Sequence, residues 1–220
     1  FTVALVVSKN VSIVFLAFVS FVALKEFFSL IPTRRSDRRV LFWSYLTIPI
    51  QYYIASIAWY GMFLLFIPLY MFLGIPLRMI IAGETQHFLK AVGTIHWGLM
   101  STVYCLSHAT YLLNLPIEIN PDAGGAGVLL FLVMLTQLND VAQYCWGKLF
   151  GKHKIVPKIS PGKTVEGFVG GVFSTVIISI VLSPYLTPFD FNDAVAVGFI
   201  ISVFGFVGDI NIQRLSGILV

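Results

Sequence analysis

The sequence predicts an all-α fold, a polytopic bundle of about seven to eight transmembrane helices. Composition is the first observation: 58% of the residues are hydrophobic, only 11% are charged, and the mean hydropathy is +0.90. A soluble domain needs more charge on its surface than this. The second observation is that the apolar runs are continuous rather than alternating. Since hydrocarbon offers no water to backbone groups, such runs must be helices.

Most apolar runs approach the length that spans a bilayer as a helix, roughly 20 residues. The run Phe1–Val7 is expected to be either the end of a further helix whose beginning is missing or the start of a fragment. A weak break at Trp59–Gly61 separates two of the runs, and prolines inside helices are expected to kink them. The predicted spans are 11–30, 41–57, 60–77, 91–112, 125–147, 165–186 and 194–212.

The charged residues between these spans predict the orientation. Loops 31–40, 78–90 and 148–164 are basic and fall on one side, whereas loops 113–124 and 187–193 contain acidic residues and no Lys or Arg. The positive-inside rule places the basic loops in the cytoplasm. We therefore expect an integral membrane protein whose basic side suits anionic lipid headgroups or nucleotides and not nucleic acid.

Polar side chains recur along the helix predicted over 125–147. Asn139, Asp140 and Gln143 follow Thr136 and precede Gly147 at spacings of three and four residues, which places them along one face. A carboxylate and two amides are costly against lipid, so they indicate a functional site in the bundle interior or a wet cavity. A purely structural hydrogen-bonding cluster is the alternative.

A basic segment, Gly147–Gly167, connects this helix to the next. Its lysines, with Gly162 allowing close backbone approach, are suited to phosphate groups, and residues 160–164 are expected to open a helix at 165 whose N-terminus favours anions. The alternative is a solvated basic loop. Glu166 falls in the first helical turn, where its charge is favourable. The lysines of the segment are Lys148, Lys152, Lys154, Lys158 and Lys163.

Two further features complete the candidate site. Gly167, Gly170 and Gly171 have the small-residue spacing that lets another helix pack closely. Asp209, near the end of the last span, lies on the same predicted side as Asp140. Paired carboxylates facing a phosphate site suggest Mg²⁺, which also contacts substrate phosphates.

Residues 139–144, the glycine-lysine pairs at 147–148 and 151–152, and the string Pro157–Gly167 resemble the CDP-diacylglycerol synthases, also called phosphatidate cytidylyltransferases. The resemblance covers about 125–210 and is closer to the bacterial paralogues, which implies a bacterial inner membrane with the active face in the cytoplasm. It implies that phosphatidate attacks the α-phosphorus of CTP with Mg²⁺ required, giving CDP-diacylglycerol and pyrophosphate. It divides the chain into N-terminal transmembrane helices (1–124) and a partial catalytic membrane region (125–220).

The resemblance also implies roles for individual residues. Asp140, Lys163 and Asp209 would be catalytic, and Asp140 and Asp209 would hold the metal. The substrate-binding residues would be Asn139, Gln143, Lys148, Lys152, Lys158, Ser160, Thr164 and Glu166. The expected partners are CTP, phosphatidate or a related anionic lipid, and the membrane, with a homodimer left open.

One departure limits this expectation. Downstream of Gly208–Asp209 the family has a signature rich in lysine, histidine and aspartate, and residues 210–220 do not match its start. We therefore expect either a fragment or a truncated chain that cannot catalyse alone. A degenerate, non-catalytic paralogue that binds lipid or a partner is the alternative function.

Overall fold

The computed structural model describes residues 8–30, 38–81, 83, 88–157 and 160–219, and side chains within these ranges except those of 38, 39, 161 and 214–219. Within these ranges the secondary structure is helical apart from one short antiparallel hairpin and the turns that connect the elements. The helices are α1 (Lys9–Leu30), α2 (Arg38–Ser56), α3 (Tyr60–Ile81), α4 (88–111), α5 (Gly124–Phe150), α6 (Val165–Leu186) and α7 (Phe191–Leu219). The hairpin joins β1 (Lys154–Val156) to β2 (Ser160–Thr164).

Five of these helices are long and apolar enough to cross a membrane: α1, α3, α5, α6 and Phe191–Gln213 of α7. By length and composition they belong to an integral membrane protein. The predicted number of seven to eight membrane helices is not confirmed. The segments α2 and α4 are helical where spans were predicted, but they are not among the five, and the predicted helix end at Phe1–Val7 lies outside the described residues.

Contacts divide the chain into two compact units, Phe1–Asn114 and Leu115–Val220. The first contains α1–α4, and its apolar core includes Leu24, Ile67 and Leu99, all fully buried. Buried polar groups also bridge its helices: Gln51 Nε2 donates to Ser107 Oγ at 3.1 Å. Such bonds between helices hold membrane bundles together, because lipid supplies no hydrophobic driving force.

The break predicted at Trp59–Gly61 is confirmed. Helix α2 ends at Ser56, Ala58 takes the left-handed conformation (φ 55°), and α3 begins at Tyr60. Within α3, residues Phe66–Met71 form wider π-helical turns around Pro68, whose ring cannot fit a regular α-helical ladder.

The second unit is built on close packing of α5 against α6, with α7 packed on both. The predicted small-residue contact is confirmed here. A Cβ added at Gly170 would collide with the Trp146 ring, and one at Gly171 with the Gln143 side chain. The glycines therefore let α6 approach α5 more closely than any larger residue would permit.

Candidate active site

A cavity of about 220 Å³ lies in the second unit, where α5, α6 and α7 meet β2. Five of the predicted site residues line it: Asp140, Gln143, Ser160, Lys163 and Thr164. The other lining residues are Tyr144, Gly162, Gly167, Phe168, Phe206 and Gln213. The structure therefore brings together the polar face of α5 and the serine-lysine-threonine end of the basic segment.

Lys163 is the central cation of this cavity. Its ammonium donates to Asp209 Oδ2 at 2.6 Å and to Gln143 Oε1 at 3.4 Å, and it lies 5.5 Å from the centroid of the Phe206 ring. The lysine side chain is only 17% exposed and that of Asp209 35% exposed. Partial burial strengthens this ion pair relative to one in open water. An ammonium has three N–H donors, so one remains available for a ligand.

A buried amide pair fixes the group that Gln143 presents to Lys163. Asn139 is fully buried, and its Oδ1 accepts hydrogen bonds from Gln143 Nε2 at 3.1 Å, Thr175 Oγ1 at 3.0 Å and Ser202 Oγ at 2.6 Å. These donors come from α5, α6 and α7. Since the Gln143 amide nitrogen is committed to Asn139, its oxygen must face Lys163.

Asp140 follows Asn139 in sequence, but its side chain lines the cavity, whereas that of Asn139 is buried where α5 packs against α6 and α7. The charges of Asp209 and Lys163 both act on the Asp140 carboxyl group. Lys163 also forms an ion pair with Asp209, so the three side chains form one charged cluster. Among the described residues no group of three or more His, Cys, Asp or Glu side chains could hold a metal ion. Two carboxylates still suit Mg²⁺, which commonly takes one or two protein carboxylates together with substrate phosphates and water.

The predicted helix start at 165 is confirmed, and Thr164 caps it. The Thr164 hydroxyl oxygen accepts from the Gly167 N–H at 3.1 Å, which satisfies one backbone donor that the first helical turn leaves free. The segment before the cap is not a loop, however, but strand β2, paired with β1 in the register Lys154 to Thr164 and Val156 to Ser160. The hairpin carries Ser160, Gly162 and Lys163 to the cavity.

Neither Asn139 nor Asp209 is among the residues that line the cavity. Each contacts one of the lining residues, Asn139 contacting Gln143 and Asp209 contacting Lys163. The predicted roles of Asn139 and Asp209 stay predictions.

Three predicted substrate-binding residues with charged side chains do not line the cavity either. Lys148 lies over the Tyr144 ring, 5.8 Å from its centroid, and Lys152 is exposed. Glu166 instead contacts His153. Lys158 lies outside the described residues. The substrate-binding roles of these four side chains stay predictions, as do the roles of the residues that line the cavity.

Five lining residues were not predicted, although their spacing carried a signal. Each lies three or four positions from a predicted residue on the same helix or cap. Tyr144 follows Asp140 by four, Gly167 and Phe168 follow Thr164 by three and four, and Phe206 and Gln213 flank Asp209 by three and four. Helical neighbours at this spacing share a face, so extending each predicted position by one turn would have found them.

A helical membrane protein with a lysine-carboxylate cluster beside a helix N-terminus has groups suited to phosphate. Comparison with known proteins identifies its family. The sequence model of the cytidylyltransferase family matches residues 1–214, and the chain therefore belongs to this family.

Individual relatives agree with this assignment. The chain is 42% identical over 205 residues to a protein of Escherichia coli (strain K12) named uncharacterized protein YnbB, a match that covers 93% of this chain and 66% of the relative. It is 33% identical over 114 residues to the phosphatidate cytidylyltransferase of Staphylococcus aureus (strain COL), covering 50% of this chain and 44% of that enzyme. The corresponding enzyme of Staphylococcus saprophyticus is 35% identical over 116 residues, with the same coverage. The chain spans less than two thirds of the length of these curated relatives.

Proposed function

We propose that this chain is part of a membrane enzyme that transfers the cytidylyl group of CTP to phosphatidate, in phospholipid biosynthesis. The observation that carries the proposal is the cluster of Lys163, Asp209 and Asp140 at one cavity, in a member of the cytidylyltransferase family. Relatives from two Staphylococcus species bear the name phosphatidate cytidylyltransferase.

In the proposed reaction, a phosphate oxygen of phosphatidate forms a bond to the α-phosphorus of CTP. The bond from that phosphorus to the oxygen bridging to the β-phosphate breaks, and pyrophosphate leaves with the electron pair. The protein's task is to position two polyanions and to neutralise their charge. The free N–H donor of Lys163 and the open backbone at Gly162, where an added Cβ would meet nothing within 4 Å, are suited to phosphate oxygens.

Asp140 and Asp209 would hold Mg²⁺ at this cavity. Bound there, Mg²⁺ would supply positive charge that stabilises the phosphates and the leaving group. Gln143, held by Asn139, accepts a hydrogen bond from the Lys163 ammonium and so helps to hold it at the cavity. The protein therefore contributes both signs of charge at the place where the triphosphate reacts.

The cavity is smaller than a whole nucleotide site, since small-molecule pockets usually enclose roughly 300–1,000 Å³. A volume of about 220 Å³ suits the phosphate and metal part of a substrate. We infer that the reacting phosphates occupy this cavity, while the diacylglycerol chains remain in the lipid.

The enzyme is proposed to lie in a bacterial inner membrane with this cavity on the cytoplasmic side, where CTP is available. The basic loops support that orientation. Reporter fusions test it: alkaline phosphatase should be inactive when fused after Phe150 and active when fused within 115–123. The opposite pattern would place the cavity outside the cytoplasm.

Conversion of radiolabelled CTP and phosphatidate by the complete gene product in nanodiscs tests the activity. We expect Mg²⁺-dependent formation of labelled CDP-diacylglycerol, abolished by EDTA and restored by excess Mg²⁺. A panel of other anionic phospholipids identifies the acceptor. Absence of product with every acceptor would refute the proposal and favour a non-catalytic, lipid-binding role.

A further inference from the structure

Glu166 sits beside the cavity but does not line it, and its carboxylate is occupied elsewhere. Oε2 accepts the backbone N–H of Lys152 at 3.0 Å and that of His153 at 3.2 Å. Oε1 lies 2.6 Å from His153 Nδ1. A carboxylate only accepts, so Nδ1 carries the proton and donates it. Three donors from two adjacent residues therefore converge on one side chain in the first turn of α6.

These contacts join two points of the main chain that the hairpin separates. Residues 152 and 153 precede β1, whereas Glu166 follows β2. The Val165 N–H also donates to the His153 carbonyl at 2.9 Å. Together these bonds close the open end of the hairpin against α6, directly below the strand that carries Ser160 and Lys163.

The geometry argues against a direct role of Glu166 with substrate. A carboxylate would repel a triphosphate, and this one already has its donors. An exposed ion pair alone would be weak, and the His153 side chain is 79% exposed. Two of the three donors are backbone groups, however, so the contact restrains the main chain and not merely two side chains.

We propose that Glu166 and His153 are positioning residues: they fasten the base of the β1–β2 hairpin to α6 and so hold Ser160 and Lys163 at the cavity. The structural part of this inference stands on the contacts alone. Its consequence for catalysis rests on the proposed cytidylyltransferase function.

Hydrogen exchange tests the structural part on the complete gene product in nanodiscs. Glu166→Ala removes both carboxylate oxygens that accept these bonds. The backbone amides of Lys154–Val156 and of 160–164, apart from Pro161, which has no N–H, should then exchange at least about tenfold faster, as expected when a local restraint is lost. His153→Ala should have a smaller effect of the same sign. His153→Asn, unlike His153→Ala, should keep exchange as slow as in wild type, because the Asn amide nitrogen lies as many bonds from the main chain as Nδ1 and can donate to Glu166. Glu118→Gln, an exposed acid remote in sequence from the hairpin, is the control. Unchanged exchange in Glu166→Ala would overturn the inference.

Kinetics distinguishes positioning from chemistry. Because bound phosphates can order a loosened hairpin, Glu166→Ala should raise the KM for CTP while kcat at saturating CTP changes by less than about twofold. His153→Asn should leave the KM for CTP near its wild-type value. A fall in kcat with KM unchanged, or a changed Mg²⁺ requirement, would instead place Glu166 at the reacting groups and overturn the inference. If the wild-type protein has no activity, the proposed function fails, and hydrogen exchange alone decides whether the fastening exists.

Discussion

Replacing Asn139 with Leu removes the acceptor on which three helices converge. The Asn139 Oδ1 atom accepts from Gln143, Thr175 and Ser202, and the residue is fully buried. Hydrogen bonds between membrane helices contribute about 0.6 kcal/mol each on average. The Gln143 bond lies within α5, so loss of the two bonds between helices, from Thr175 and Ser202, should lower the free energy of unfolding by about 1.2 kcal/mol.

SDS-driven unfolding in mixed micelles, followed by circular dichroism, measures this loss. Thr136→Val is the matched control on the same helix face, because the Thr136 hydroxyl donates only to carbonyls of its own helix, those of Leu132 and Val133. Its cost should stay below about 0.5 kcal/mol. Equal effects of the two substitutions would refute the view that Asn139 links α5, α6 and α7.

Three further predictions follow from the second unit. Gly171→Ala forces a Cβ into the α5 side chain packed on it and should cost about 1–3 kcal/mol of unfolding free energy; Gly208→Ala, where an added Cβ meets nothing within 4 Å, should cost nothing in the same SDS titration. Thr164→Ala removes a helix cap and should cost about 1 kcal/mol, whereas Thr164→Ser should retain most of the stability; equal losses would mean that the hydroxyl does not cap α6. Asp209→Asn should raise the Mg²⁺ concentration for half-maximal turnover by at least about tenfold, measured by Mg²⁺ titration of the transferase assay; an unchanged value would remove this residue from the metal site.

The sequence predicted the helices of the second unit well, because their apolar runs are long and their interruptions are polar or contain proline and glycine. Helix α5 extends to Phe150 rather than 147, and α7 begins at Phe191 rather than 194. The spacing of Asn139 and Gln143 also predicted their shared buried face. These features depend on local periodicity, which a sequence carries directly.

Features that depend on tertiary contact were not predictable in the same way. The β1–β2 hairpin lies in a segment rich in lysine, proline and glycine, without the alternation typical of strands. The hairpin is accompanied by contacts with α6 that local periodicity does not reveal, such as that of His153 with Glu166. The number of membrane spans was also uncertain, because α2 and α4 combine the length of a span with many polar side chains.

The same distinction applies within the candidate site. The charged residues Asp140, Lys163 and Asp209 stand out in an apolar sequence, and the structure places all three together. Lys148 and Lys152 stand out equally in the sequence, but they lie outside the cavity. Their positions could not be predicted, because charge alone does not reveal which way a side chain points. The aromatic lining residues were overlooked, since Phe168 and Phe206 resemble ordinary lipid-facing residues.

Turnover of the Lys163→Ala variant tests most directly whether the Lys163 ammonium is the phosphate-binding cation of the cavity. Against wild type and a Lys90→Ala control, in nanodiscs with equal amounts of inserted protein, we expect Lys163→Ala to lose at least about 100-fold in kcat, the usual cost of removing one preorganised charge-stabilising donor. Lys90→Ala should match wild type. Wild-type turnover by Lys163→Ala would contradict a phosphate-binding role of Lys163 and leave the lysines of this segment with a role in topology only.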